Sequence, residues 1–270
     1  MTADTKPRDQ PPANIYRGRF APSPTGPLHF GSLVAAVGSY LDARHHHGEW
    51  LVRIEDIDPP REVPGATGAI LRTIEQFGMQ WDGPVVYQSR RKSYYESALE
   101  TLHRCGAVYD CACSRREIAD SAVHGVAGPV YPGTCRNVMP PGRKARSLRV
   151  VVNDSPLVVH DRLQGRLQHS LHEQTGDFIV RRADRLVAYQ LAVVVDDAEQ
   201  GITHIVRGAD LLDSTPRQVH LQQLLGYARP DYTHLPVAAN LAGEKLSKQT
   251  RARHIEAGNP VATLCDALEF

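Results

Sequence analysis

Hydrophobic positions change period several times along this chain, and each change marks an element. Ile15 to Ala21 reads as a strand, Pro22, Pro24, Gly26 and Pro27 break it, and Leu33, Val34, Val37, Tyr40 and Leu41 follow at helical spacing from Ser32. Trp50 to Ile57 reads as a second strand. Ala69 to Phe77 puts Ile70, Leu71, Ile74 and Phe77 on one helical face, and Arg90 to Cys105 turns Tyr94, Leu99 and Leu102 inward. Strands alternating with helices of this length predict an α/β protein with a parallel, doubly wound sheet. The rhythm stops from about Tyr109 to Asp177, where cysteines, Gly and Pro clusters and short runs such as Leu148 to Val152 predict a smaller inserted module. It then resumes. Phe178 to Val180 and Leu186 to Tyr189 are expected to form a hairpin about Ala183-Asp184, Ile202 to Val206 a strand, and Thr215-Pro216 the cap of a helix reaching Gly226. A last strand-like run, Leu235 to Ala239, leads into a loop with Lys245 and Lys248.

The expected organisation is therefore a disordered leader over residues 1–14 and a discontinuous nucleotide-binding domain over 15–108 and 178–226. An inserted module spans 109–177, and a stem region carrying the lysine loop spans 227–270. Composition narrows the class. Of 270 residues 41% are hydrophobic and 23% charged, which is the balance of a globular protein with a real core rather than a disordered or collagen-like chain. The longest apolar runs, such as Leu191 to Val195, are far too short to span a bilayer, and no signal segment opens the chain. A soluble, cytoplasmic protein without membrane contact is expected. The formal charge of +1 decides nothing about nucleic acid, because binding depends on where basic residues cluster. Five cysteines without a secretion signal predict thiols or metal ligands rather than a disulfide framework.

The chemistry concentrates in two places. Arg19 to Ser32 covers a strand end, a loop and a helix start, where an open parallel sheet binds ligands. Backbone N–H groups and the helix dipole favour phosphate there, Gly31 allows close approach, and His29 can donate to a phosphate oxygen. Late in the chain, Lys245-Leu246-Ser247-Lys248-Gln249 supplies two ammonium groups suited to phosphate.

Together these segments resemble the two signatures of class I aminoacyl-tRNA synthetases. The resemblance extends to Leu51 to Arg61, Tyr189 to Asp197 and Ile205 to Leu212, in the order found in the glutamyl branch of that class. It implies a Rossmann-like adenylating enzyme in which His29, Gly31, Ser32, Lys245, Ser247 and Lys248 bind ATP with its Mg²⁺. His29, Lys245 and Lys248 would stabilise the departing pyrophosphate. Residue chemistry agrees with glutamate. Two carboxylates and an ammonium need at least two cations and an anion in a desolvated pocket, and Arg19, Arg207 and Glu55 supply them. The family pattern assigns the amino acid to Arg19, Phe20, Ala21, Pro22, Ser23, Glu55, Tyr189 and Arg207, with Glu55 facing the ammonium; either arginine could take the side-chain carboxylate.

Cys111, Cys113 and Cys135 are the candidate metal ligands, three thiolates suited to one structural Zn²⁺. His124 is the only histidine between the second and third of them, whereas the resemblance implies Tyr131 as the fourth ligand. The basic stretch Arg136, Arg143, Lys144, Arg146 and Arg149 is suited to RNA phosphates. Only 22 residues follow Lys248, too few for the anticodon-binding domain of full-length glutamyl enzymes. That pattern resembles a truncated branch of the family, which transfers glutamate to the queuosine wobble base of tRNA(Asp). The expected partners are ATP, L-glutamate and queuosine-bearing tRNA(Asp), acted on by a monomer. Charging of the 3′ end of tRNA(Glu) and a non-catalytic tRNA-binding role are the alternatives.

Overall fold

The computed structural model describes residues 15–121, 124–125, 128–237, 255 and 259–270. Strand β1 (Arg17–Phe20) is followed by helix α1 (Phe30–His45) and strand β2 (Glu49–Ile54), then by α2 (Ala66–Gln76) and β3 (Val86–Tyr87). The three strands pair in parallel in the order β1-β2-β3, with Arg19 opposite Leu51. The buried stretch of β2 includes Trp50, Val52 and Ile54, and β1 contributes Phe20 to the same core. Trp50 is fully buried there, and its indole N–H donates to Ser39 Oγ at 2.9 Å.

Helix α3 (Lys92–Arg104) leads into β4 (Val108–Cys111), α4 (Arg115–Ser121) and the two-residue strands β5 (His124–Gly125) and β6 (Gly128–Pro129). Then come β7 (Ser147–Val150), β8 (Leu157–Asp161), β9 (Gly165–His169), α5 (Leu171–Gln174) and β10 (Phe178–Arg181). The antiparallel sheet β10-β7-β4 carries the cysteine-rich stretch, whereas β8 and β9, also inside the span 109–177, join a different sheet. That sheet is completed after α6 (Tyr189–Glu199) by β11 (His204–Gly208), α7 (Thr215–Leu225) and β12 (Asp231–Leu235), in the order β11-β12-β8-β9 with only β9 antiparallel. β1 and β11 lie side by side. Thr203 N–H donates to Arg17 O at 2.9 Å, and Arg17 N–H to Thr203 Oγ1 at 2.8 Å. The chain thus builds outward from β1 in one direction and from β11 in the other, and the seam between them is a topological switch point.

Three expectations shift. Leu186 to Tyr189 is not a strand: one bridge, Arg181 to Val187, closes the hairpin, and Tyr189 opens α6. The cap of α7 is Ser214 rather than Thr215, whose hydroxyl is engaged elsewhere, while Gly226 ends the helix in the left-handed region at φ 68° as predicted. Leu235 to Ala239 is a strand only to Leu235; residues 238–239 lie outside the described set, as does the leader 1–14. No helix among the described residues is long and apolar enough to cross a membrane.

Helix α8 (Pro260–Glu269), capped by Asn259 Oδ1 on the Ala262 N–H at 3.2 Å, packs on α1, and Phe270 meets Phe30 edge-on at 6.1 Å. Nearby, Ile255 N–H donates to Leu28 O at 3.3 Å, which returns the end of the chain to the loop beside His29.

Two glycines separate backbone from side-chain crowding. A β-carbon on Gly48 would sit 2.3 Å from the Tyr16 carbonyl oxygen, whereas one on Gly38 would meet only a Leu235 methyl at 2.6 Å. Gly48→Ala should therefore destabilise the fold by about 2 kcal/mol. Gly38→Ala, with a movable neighbour and a gain in helix propensity, should stay within about 1 kcal/mol of the parent. Urea unfolding of both variants checks the contrast, and equal shifts would contradict it.

Candidate active site

The strand ends at the β1/β11 seam frame a cavity of about 330 Å³, within the size range of small-molecule sites. It is lined by Arg19, Phe20, Ala21, Pro22, Ser23, His29, Gly31, Ser32, Glu55, Tyr189 and Arg207. All the described residues expected to meet ATP or the amino acid thus share one wall system. Lys245, Ser247 and Lys248 lie outside the described residues. The residues on either side of that stretch both belong to the site's surroundings: Val237 lines the cavity, and Ile255 bonds Leu28, another lining residue.

Backbone bonds set this geometry. Glu55 N–H donates to Pro22 O at 3.0 Å, tying the end of β2 to the loop after β1. His29 caps α1, accepting from Ser32 N–H at Nδ1, 3.3 Å, and sits 2.9 Å from Ser32 Oγ through Nε2. The first turn of α1 carries no acidic side chain, so the positive end of its dipole faces the cavity uncompensated.

The charged groups are sorted by burial. Arg19, 4% exposed, gives Asp197 two hydrogen bonds, at 3.1 and 3.4 Å. Arg53, fully buried, also donates to Asp197, at 2.8 Å, and to Gln200 at 2.7 Å. Burial opposes ionisation of Asp197, yet Arg19 and Arg53 hold its carboxyl below the usual range. Asp196, next to it, accepts from Gln88, Arg91 and Tyr95 at 2.7, 2.5 and 2.8 Å. Glu55 lacks such a cradle. Its closest cation is Arg53 at 3.7 Å, and burial pushes its carboxyl up to about 7 against the pull of Arg53 and Arg19. Burial, and then the charge of Glu55, raise the Tyr189 phenol.

Arg207 has no carboxylate partner among the described residues. Its Nε donates to His234 Nε2 at 3.1 Å and its Nη2 to Thr215 Oγ1 at 2.8 Å; Nη1 is buried without a hydrogen-bond partner. A cation without a carboxylate partner among the described residues and a carboxyl pushed up to about 7 therefore line the same cavity. That pairing matches a ligand carrying both a carboxylate and an ammonium.

Sequence reasoning missed Asp197, Arg53, Asp161, His234 and Thr215. The available signal was a charged or polar residue inside an apolar run: Arg53 in Leu51-Val52-Arg53-Ile54, and Asp196-Asp197 closing Leu191 to Val195.

The cysteine cluster forms at the end of β4. The sulfurs of Cys111, Cys113 and Cys135 lie within 4.8 Å of one another, with Cys113 and Cys135 at 3.6 Å. The Tyr131 oxygen is 3.4 Å from Cys111 Sγ and 3.6 Å from Cys113 Sγ, and accepts from Cys135 N–H at 2.9 Å. Tetrahedral coordination at about 2.3 Å per metal–sulfur bond needs sulfurs about 3.8 Å apart, so this group could hold a metal ion. Burial opposes ionisation of Cys111, but hydrogen bonds with Tyr131 and Arg149 outweigh it and bring the thiol down to about 7. The His124 side chain lies outside the described residues.

The basic stretch is not one surface. Arg149 is buried, with its guanidinium 3.7 Å over the Tyr131 ring and 3.3 Å from Cys111 Sγ. Arg136 bonds Asp177 at 2.7 Å and Arg143 bonds Glu117 at 2.7 Å, which leaves Lys144 and Arg146 as its exposed cations without a described ion pair.

Residues 16–259 match the model of the class I tRNA synthetase family (E and Q), catalytic domain. A relative from Dechloromonas aromatica (strain RCB) named glutamyl-Q tRNA(Asp) synthetase is 63% identical over 94% of this chain and 85% of its own length. One of the same name from Chromobacterium violaceum is 59% identical over 95% of this chain and 86% of its own. The crystal structure of a glutamate-tRNA synthetase from Elizabethkingia anophelis superposes with a TM-score of 0.75 at 26% identity, covering 88% of this chain. This chain spans about half, 53%, of that enzyme.

Asp197→Asn leaves two buried guanidinium groups without a full counter-charge and should cost about 3 kcal/mol. Glu96→Gln breaks the exposed Lys92–Glu96 pair at 3.6 Å and should cost less than about 0.5 kcal/mol. Denaturant midpoints measured side by side test the difference.

Proposed function

Because the chain belongs to the class I tRNA synthetase family of the glutamate and glutamine type, a family of ligases, we propose that it activates L-glutamate with ATP and transfers it to the queuosine wobble base of tRNA(Asp). The observation that carries the amino-acid half is a cavity lined by both Glu55 and Arg207, the latter without a carboxylate partner among the described residues. The acceptor half rests on the name shared by the close relatives.

In the first step an oxygen of the glutamate α-carboxylate attacks the α-phosphorus of ATP, and the bond to the β-phosphate oxygen breaks, releasing pyrophosphate. The protein's part is positioning and charge. Glu55 meets the ammonium, Arg19 and Arg207 the carboxylates, and Tyr189 donates one further hydrogen bond. His29, the N-terminus of α1 and Lys245 and Lys248 stabilise the phosphates, on which Mg²⁺ travels. In the second step an acceptor hydroxyl attacks the carbonyl carbon of the adenylate, loses its proton, and AMP departs. Cys111, Cys113 and Cys135 with Tyr131 would hold zinc, which would supply a structural cross-link between the end of β4 and the loop 131–135. The cationic Arg149 beside Cys111 suits the excess negative charge of such a ligand set.

Incubation with ATP and labelled glutamate should give pyrophosphate exchange that aspartate and glutamine do not support. Label should appear in the anticodon of tRNA(Asp) and vanish when queuosine is absent. Label at the 3′ end of tRNA(Glu) would favour charging instead, and no exchange with any amino acid would reject the enzyme reading. The sign of the pH dependence follows from Glu55. Protonation through about pH 7 removes the partner of the ammonium, so the KM for glutamate should rise up to about tenfold per unit as pH falls below that value. A flat glutamate KM between about pH 8 and 6 would deny Glu55 this role.

Metal loading has its own readout. The zinc-loaded native protein should expose only Cys105 and Cys265 to a thiol reagent, and a chelator should add the other three. Five reactive thiols before chelation would contradict the site.

A further inference from the structure

The cavity's two arginines are held in different ways. Arg19 is gripped by a carboxylate, Asp197, which cancels its charge on the spot. Arg207 is gripped by a fully buried imidazole, that of His234 on β12, its neighbour in parallel register. Behind the imidazole lies Asp161 at the end of β8, whose Oδ2 is 2.6 Å from His234 Nδ1. We infer that Asp161 and His234 form a positioning relay that fixes the Arg207 guanidinium while leaving its charge available to the ligand. This rests on the reading that Arg207 meets a glutamate carboxylate.

Donor and acceptor requirements settle the roles of the atoms. The carboxylate of Asp161 accepts backbone N–H groups from Leu163 at 3.0 Å, Gln164 at 2.8 Å and His234 at 3.1 Å. Burial opposes its ionisation, but these bonds hold the carboxyl below the usual range. An ionised Asp161 can only accept, so Nδ1 of His234 carries the proton and Nε2 offers a lone pair. Arg207 Nε, which can only donate, meets it at 3.1 Å, and the Thr215 hydroxyl lies 3.0 Å from the same nitrogen. A charged imidazolium would have no lone pair to offer and would confront a guanidinium. Burial first, and then Arg207, drive the His234 pKa down to about 4, so the ring is neutral at neutral pH. Thr215 Oγ1 accepts from Nη2 at 2.8 Å. The guanidinium is planar, so fixing Nε and Nη2 fixes Nη1 as well. Nη1 is buried without a hydrogen-bond partner, and Arg207 is one of the residues that line the cavity.

A carboxylate in place of His234 would orient Arg207 equally well and neutralise it. A neutral acceptor backed by a carboxylate gives orientation with the positive charge largely retained at close range. Asp161 and His234 are positioning residues in this arrangement, since neither lines the cavity.

The test is steady-state glutamate activation by the intact protein carrying His234→Leu or His234→Gln. Leucine fills the space without an acceptor, and glutamine restores a neutral oxygen acceptor. His234→Leu should raise the glutamate KM about tenfold or more, with the ATP KM within about twofold and kcat changed less than KM. His234→Gln should recover most of the loss. An unchanged glutamate KM in His234→Leu, or a parallel rise in the KM of both substrates, would overturn the relay. If His234→Leu does not fold, Asp161→Asn, which removes the ionised acceptor, should give the same split. A second readout does not depend on glutamate. Ring ¹⁵N shifts should show the neutral Nδ1–H tautomer of His234 down to about pH 5, and the opposite tautomer or an imidazolium at neutral pH would overturn the relay. A wild-type protein that shows this tautomer but activates no glutamate refutes the functional reading and leaves the relay standing.

Discussion

Asp197 is the constraint around which β1, β2 and α6 are arranged. One carboxylate on α6 accepts from Arg19 on β1 and Arg53 on β2, both at most 4% exposed. Each guanidinium alone would carry a desolvation penalty of several kcal/mol in that position. Shared between them, the anion lets two adjacent parallel strands place cations in the interior and pins α6 across their ends. Tyr189 at the start of α6 and Asp196 within it then have fixed places, and Asp196 ties in Arg91 and Tyr95 of the α3 region. The cluster places two cavity residues: Arg19 sits on β1 and Glu55 directly follows β2, the strands that Asp197 holds together.

The same cluster explains why Glu55 is poised. Arg19 and Arg53 lie near it, but their strongest bonds go to Asp197, so Glu55 feels their charge without a direct hydrogen bond. Burial then dominates and its carboxyl moves up to about 7. At the other wall Arg207 carries the complementary incompleteness, since its partners His234 and Thr215 are both neutral. The site is therefore not a cavity of generic polarity. It has one under-paired carboxyl and one under-paired cation, and a ligand carrying both an ammonium and a carboxylate would complement the two.

Much of this was legible in the sequence, for identifiable reasons. The helices α1, α2 and α3 follow from 3.6-residue periodicity, and the cavity residues from the breaks at Pro22, Pro24 and Gly26 where a strand must hand over to a helix. The strand expected over Leu186 to Tyr189 is reduced to one bridge at Val187 because Tyr189 already opens α6, whose residues 190–197 are all buried. A helix buried all round shows no amphipathic period. Asp161 and His234 were invisible for another reason. They lie 73 positions apart, and only the parallel pairing of β8 with β12 brings them together. The basic run from Arg136 to Arg149 misled because charge in a sequence does not reveal which guanidinium is folded inward against Tyr131 and Asp177.

The cysteine cluster looks remote from the cavity, yet a contiguous set of bonds joins them. Arg136, next to Cys135, donates to the Asp177 carboxylate, which also accepts from Tyr109 on β4 and the backbone of Val152 after β7. Asp177 immediately precedes β10, and Val180 of β10 accepts from Ala188 N–H at 2.9 Å, one residue before Tyr189. A metal that drew Cys111, Cys113 and Cys135 together would therefore tighten the strand that delivers Tyr189 to the cavity. Arg149 acts in the same direction, holding Cys111 Sγ at one end of its guanidinium and the Asp177 carbonyl at the other. Hydrogen bonds thus run from the thiol cluster through Arg136, Arg149 and Asp177 to β10, whose Val180 accepts from the residue before Tyr189.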